Sequence, residues 1–310
     1  MPYPRSKGEF VPSKRHLRWA AIPVIAAAAV AIAGCSPTEL HGYLPGFDES
    51  GTATTDQAPI ISSLWVGSWV AALAVGIITW GLMLWAMIVY RRRKGQTGLP
   101  VQLRYNMPIE IFFTATPLIL VLGLFAFTAR DQAIIEDQYE DPDVTITAIA
   151  KQWSWDFQYN GEEEDGSDAV WTMGVHAQAD EVGDINREDL PTLVLPVDKR
   201  VTIDLESRDV QHSFWIIDFL YKKDMYPGHE NAWSFIPTRE GEYDGKCAEL
   251  CGEYHSMMLF NVKVVSEAEY EAYLDELEAK GQTGNIKNVY DRLTNNPGTG
   301  PVGNPDEEEH

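Results

Sequence analysis

The sequence predicts a two-helix membrane hairpin, then an all-β sandwich or barrel, then one helix near the C-terminus. Three observations carry this reading. Two uncharged apolar stretches occupy residues 60–90 and 111–129. The region after them breaks into short runs of β-branched and aromatic residues divided by Pro, Gly and Asp. Charge divides at the same place: residues 1–130 hold 11 Lys and Arg against 6 Asp and Glu, whereas residues 131–310 hold 13 against 40. So acidic a region repels nucleic acid and steers basic partners, so no nucleic-acid role is expected.

Residues 1–34 read as a lipoprotein signal peptide. A basic start (Arg5, Lys7, Lys14, Arg15, Arg18) precedes the short apolar run "AAIPVIAAAAVAIAG". The run leads into Cys35, and Ile32-Ala33-Gly34-Cys35 resembles the bacterial lipobox. In lipobox proteins the cysteine is lipidated and becomes the first mature residue, so Cys35 is the expected lipidation site. Residues 35–59 then form an outer N-terminal segment.

The hairpin occupies residues 60–130. Its first apolar stretch exceeds the ~20 residues that cross a bilayer, and the second is close to that length. Between them, "RRRKGQTGLPVQLRYN" (91–106) carries five basic residues and no acidic one. The positive-inside rule places this loop in the cytoplasm and both outer ends of the hairpin outside. Cys35 and the acidic region then share the outer face. Glu110 opens the second helix, where the helix dipole favours an acid.

Residues 131–141 read as a polar bridge. Beyond it, Trp153, Trp155, Phe157 and Tyr159 alternate with Ser154, Asp156 and Gln158, which predicts one half-buried strand over 144–159. Further strands are expected at 192–197, 200–206, 213–218, 232–236, 242–247 and 258–265, in an antiparallel arrangement. An acidic insertion, 160–191, reads as a loop or loose hairpin. Residues 266–310 read as a helix followed by a flexible acidic tail: Ser266 and Glu269 form a capping box, Gly281 ends the helix, and the tail from 282 is expected to be disordered.

The chemistry concentrates in "CAELCGEYHSMM", residues 247–258. Two cysteines outside the cell suit a disulfide. The following His255 and Met258 open a second use. Thiolate, imidazole and thioether together suit copper, whereas zinc has little use for methionine.

The order Cys-x-Glu-x-Cys-x3-His-x2-Met resembles the dicopper site of cytochrome c oxidase subunit II. The resemblance covers roughly residues 60–265 and implies a membrane hairpin plus an outer, ten-stranded, cupredoxin-like Greek-key barrel over residues 131–265. The upstream histidine of that family is matched by His212 in "SRDVQHSFW", with Asp209 before it. The resemblance implies that Cys247 and Cys251 bridge two copper ions. His212 and Met258 would complete one copper, and His255 with the Glu249 backbone carbonyl the other. It also implies that the Glu249 side chain shares a Mg2+ ion with the catalytic subunit. Trp153 would receive electrons, Glu110 would stand at the mouth of a proton path, and Asp209 would lie on the docking surface.

The implied function is that of subunit II of an aa3-type, proton-pumping oxidase in a bacterial cell membrane. It would take electrons from cytochrome c, either soluble or tethered in a bc1–oxidase supercomplex. Haem would sit only in the partner subunit I, with subunit III and membrane lipid as further partners. The chain departs from the family pattern at His229, which stands where Pro-Gly-Arg is usual, and in the length of its insertion. The competing function is a membrane-anchored copper-insertion protein, which also uses Cys-x3-Cys and a distant histidine. Such proteins have βαβ patterns, and this chain has strands without interleaved helices.

Overall fold

A computed structural model describes residues 37–286, apart from 93, 96, 100, 101, 103, 162–165, 180–182 and 184. The signal segment, Cys35 and the tail from 287 onward lie outside the described residues. Ten strands follow the hairpin: β1 (Val144–Lys151), β2 (Ser154–Tyr159), β3 (Val170–Met173), β4 (Thr192–Pro196) and β5 (Val201–Ser207), then β6 (His212–Ile216), β7 (Tyr221–Met225), β8 (Asn231–Phe235), β9 (Gly241–Cys247) and β10 (Leu259–Val265). They form two five-stranded sheets, ordered β3-β2-β1-β5-β8 and β4-β10-β9-β6-β7. The sheets enclose one core in which Trp155, Phe157, Phe214 and Phe260 meet ring to ring. This is the cupredoxin-like architecture, with ten strands as expected.

Several expectations change. The antiparallel reading fails at two places, because β1 pairs β5 in parallel and β10 pairs β4 in parallel. The chain crosses between sheets there, and a crossover can bring two strands together with the same direction. The single strand 144–159 is two strands around a turn at Gln152 and Trp153, folded back in register from Ile146↔Tyr159 to Lys151↔Ser154. All six residues of β2 are buried, not alternate ones. The acidic insertion contributes β3, which pairs with β2, and a 3-10 turn at Arg187–Asp189. Strand β7, rich in Lys and Asp, had no apolar pattern to announce it.

Helices α1 (Ala58–Val89) and α2 (Met107–Ile135) form the hairpin. Large apolar side chains along both, including Trp80, Leu82, Ile119 and Phe125, are more than half exposed. Apolar surface on that scale calls for lipid or another membrane subunit around it. The start of α2 is capped reciprocally: the Asn106 side chain accepts from Ile109 N–H, and Glu110 accepts from Asn106 N–H at 2.8 Å. The end of α2 runs through residues 131–135, read as a bridge in the sequence. Ile135 is buried there, and its carbonyl accepts from Gln57 at 3.2 Å.

Gln57 also accepts from Trp233 Nε1 at 2.9 Å and donates to the Ser234 carbonyl at 2.7 Å. Glu136 receives Tyr221 and Lys223 from β7. The outer ends of both helices are thus tied to one edge of the β domain. A further helix, α3 (Glu267–Ala279), carries the expected capping box and lays Tyr270 against Tyr159. Residues 282–286, expected as the start of the tail, are held instead: Ile286 is buried and its N–H donates to Gln158 at 2.8 Å.

Candidate metal centre

Strands β6 and β9 are antiparallel neighbours, with Phe214 opposite Cys247. That register brings His212, at the start of β6, to Cys247, at the end of β9. The chain then turns through residues 248–254 into a 3-10 turn, His255–Met257, and re-enters the sheet at β10. Cys247 N–H donates to the Met258 carbonyl at 3.0 Å, closing the loop at its neck. Every sulfur and imidazole of the loop is therefore gathered at one end of the core.

Cys247 and Cys251 are free thiols with sulfurs 3.9 Å apart. Cys247 Sγ lies 3.8 Å from His212 Nδ1 and 3.1 Å from the Glu249 carbonyl oxygen. Cys251 Sγ lies 3.5 Å from His255 Nδ1 and 3.8 Å from Met258 Sδ. Donors bound to one ion at about 2.0–2.3 Å stand roughly 3–4 Å from each other. All five separations fall in that range. Two thiolates, two imidazoles, a thioether and a carbonyl form a donor set that suits copper with weak axial groups. His212, Cys247 and Cys251 alone form a buried group able to hold a metal. The residues thus fit the two-copper assignment by chemistry and spacing.

The two thiols differ in acidity. Burial opposes ionisation of Cys247, but the His212 ring and the Ser213 N–H outweigh it and hold the thiol below its ordinary value. Burial pushes Cys251 up to about 12, and the neighbouring Cys247 charge adds to the rise. Burial disfavours a charge on His212 as well. Its bonds to Asp209 and Cys247 prevail and raise its pKa. The shifts on Cys247 and His212 favour each other's charged form, whereas Cys251 has no such partner for its charge.

Around these donors sits a supporting layer. His212 Nε2 bonds Asp209 Oδ1 at 2.8 Å, which leaves Nδ1 directed at the sulfur. Asp209, expected on the docking surface, is turned toward the site and also accepts from Gln152 N–H at 2.6 Å. Gln152 Nε2 and Trp153 Nε1 donate to the Cys251 carbonyl at 2.7 and 3.2 Å. Trp153 sits on the β1–β2 turn against Tyr254, partly buried at the margin of the core, whereas Trp155 is fully buried within it. The strand pattern had put both indoles on one face. Trp155, read only as core, donates to the Met258 carbonyl at 3.3 Å. Gln152 and Trp155 carried no sequence signal of this role. Met257, read as packing, is half-buried, and its carbonyl accepts from Ala177 N–H at 3.0 Å, joining the acidic insertion to the site. Glu249 is partly exposed, and His229 is exposed at the β7–β8 turn beside Tyr226. Glu110 is at the other end of α2, bonded to its own helix start.

The fold and the site define a membrane protein that carries a cupredoxin-like domain with a sulfur- and imidazole-lined metal centre. Residues 144–265, the whole sandwich from β1 to β10, match the family described as cytochrome c oxidase subunit II, periplasmic domain. A probable cytochrome c oxidase subunit 2 of Streptomyces avermitilis is 46% identical over 256 residues, covering 76% of this chain and 80% of the relative. Cytochrome c oxidase subunit 2 of Mycobacterium tuberculosis is 32% identical over 311 residues, covering 87% and 84%. A crystal structure of the periplasmic domain of subunit II from Bradyrhizobium japonicum is 27% identical, covers 46% of this chain and 99% of that one, and gives a TM-score of 0.38. The chain belongs to the cytochrome c oxidase subunit II family.

Proposed function

We propose that the chain is the electron-accepting subunit of an aa3-type oxidase and holds a dinuclear copper centre. Cys247 and Cys251 would hold both ions between them, with His212 and Met258 completing the hold on one and His255 and the Glu249 carbonyl on the other. The observation that carries this is the ring of donors at 3.1–3.9 Å around two free sulfurs at one end of a stiff sandwich. When bound, the copper pair supplies a one-electron acceptor whose charge is shared between two metals.

The chain's own residues orient and shield that centre. Asp209 sets the His212 ring, and the core rings keep water from the buried side. Trp153, bonded to the Cys251 carbonyl and edged by Tyr254, is the residue at which electrons from cytochrome c arrive. Dioxygen reduction belongs to the haem-bearing partner, subunit I. Glu249 shares a Mg2+ ion with that partner, and Glu110 serves the mouth of its proton path. Subunit III and a tethered or soluble cytochrome c complete the assembly. Cys35 carries a lipid that adds to the hairpin's hold on the outer face of the membrane. The copper-insertion reading is not favoured, since family membership and the absence of βαβ units among the described residues both point elsewhere.

Copper loading of the full-length chain in detergent, followed by electron paramagnetic resonance, tests the centre. One electron shared by two equivalent copper nuclei gives seven hyperfine lines. A four-line spectrum, the mark of one isolated copper, would overturn the dinuclear reading.

A further inference from the structure

Next to the metal centre lies a buried ion set that none of the proposed chemistry uses. Asp156, in β2, is fully buried, and its carboxylate meets Lys151 Nζ at 2.6 Å and Arg208 Nη1 at 3.7 Å. The Lys151 and Arg208 side chains are only 4% and 14% exposed. Gly174 N–H donates to the same carboxylate at 3.1 Å. A buried charge persists only when paired and hydrogen-bonded; Asp156 Oδ1 takes both Lys151 and the Gly174 N–H, while buried Oδ2 has no hydrogen bond and only the Arg208 ion pair. Buried ion sets seldom add net stability over apolar packing of the same volume. Stability is therefore a weak account of this one.

Its place in the chain suggests another. Lys151 ends β1 and precedes Gln152 and Trp153. Arg208 follows β5 and precedes Asp209. Arg208 N–H donates to the Ala150 carbonyl at 3.0 Å, so the two strand ends are laced together where the ion set lies. From these ends the polar contacts continue without a break. Gln152 N–H reaches Asp209 Oδ2 at 2.6 Å, and Asp209 Oδ1 reaches His212 Nε2 at 2.8 Å. The Gln152 side chain and the Trp153 indole both reach the Cys251 carbonyl.

We propose that Lys151, Asp156 and Arg208 are positioning residues for the metal centre. The buried ion set clamps the ends of β1 and β5. It thereby fixes Gln152 and Asp209, and through them the His212 ring and the Cys251 loop. The inference rests on the copper reading for its spectroscopic readout, while its geometry stands apart from that reading.

The test uses the full-length chain in detergent, first metal-free and then loaded with copper(II). Arg208→Met removes one cation but keeps most of the stem; Arg208→Lys keeps the charge. Arg208→Met is expected to weaken copper binding about tenfold, the lower end of outer-layer effects. It should also change the hyperfine splitting and the reduction potential, with little change in the melting midpoint of the metal-free chain. Arg208→Lys should restore most of the affinity and the splitting. Asp156→Asn is expected to act in the same direction and more strongly; the Arg208 pair decides the matter if Asp156→Asn does not fold. The proposal is overturned if Arg208→Met leaves affinity, splitting and potential at their unsubstituted values, whether or not the chain melts earlier. The unsubstituted chain's own spectrum judges the copper reading, so the two failures are separable.

Discussion

The two halves of the metal centre touch, yet they are built differently. Cys247 closes a strand, takes its histidine from the neighbouring strand, and has that histidine anchored by Asp209. Cys251 stands in a loop, takes its histidine from a 3-10 turn four residues on, and keeps its carbonyl in place through Gln152 and Trp153. In the strand-built half the thiol is the more acidic of the two, and Asp209 holds the imidazole. The loop-built half holds the thiol that burial makes harder to ionise. The contrast teaches that near-symmetric ligands can be positioned by different means, one half by strand register and the other by a loop held from the β1–β2 turn.

The harshest way to break this comparison is to remove one sulfur at a time. Cys247→Ser and Cys251→Ser are each expected to abolish the shared-electron copper signal completely, since each sulfur serves both ions in the proposed centre. A seven-line spectrum surviving in either variant would show that its sulfur is not a bridge.

The difference in acidity can be measured directly. In a metal-free Cys35→Ala chain with 13C-labelled cysteine, the pair should titrate in two steps, one below the ordinary thiol value of 9.0 and one near 12. The sign follows from the causes: hydrogen bonds to the thiolate favour ionisation of Cys247, while burial beside that charge disfavours ionisation of Cys251. Two sulfurs titrating together would erase the distinction between the halves.

Asp209→Asn acts first on the strand-built half, through the His212 ring. It should weaken copper binding about 10–100-fold, as is typical when the partner of a ligating histidine is lost. Chelator competition measures this, and a change under twofold would mean that the strand alone aims His212. Met258→Leu is expected to have the smallest effect. An axial thioether is a weak ligand, so copper should remain bound while the reduction potential moves. Voltammetry of the loaded protein reads the shift; loss of copper equal to that in the cysteine variants would contradict the division between bridging and axial roles.

Much of this molecule is written locally. The membrane hairpin follows from uninterrupted apolar length, and its orientation follows from five basic residues in one short loop. The α3 capping box is a contact three residues apart. The ligand order from Cys247 to Met258 is likewise legible, because a tight loop brings residues four to seven positions apart into contact whatever surrounds it. Family resemblance supplied His212, 35 residues upstream, but no local pattern placed it beside Cys247.

Only the tertiary structure decided the rest. The β6–β9 register delivers His212, and the parallel β1–β5 pair sets the ends from which Gln152 and Asp209 meet. The turn that sets Trp153 at the margin of the core interrupts a pattern that reads as one alternating strand, since alternation records which faces are apolar and not where the chain reverses. Strand β3 lies within an insertion too acidic to suggest it, and its place is set by pairing with β2. Strand pairing joins residues far apart in sequence through backbone hydrogen bonds that nearly every residue type can make. Side-chain periodicity therefore announces a strand, and only the folded chain chooses its neighbour.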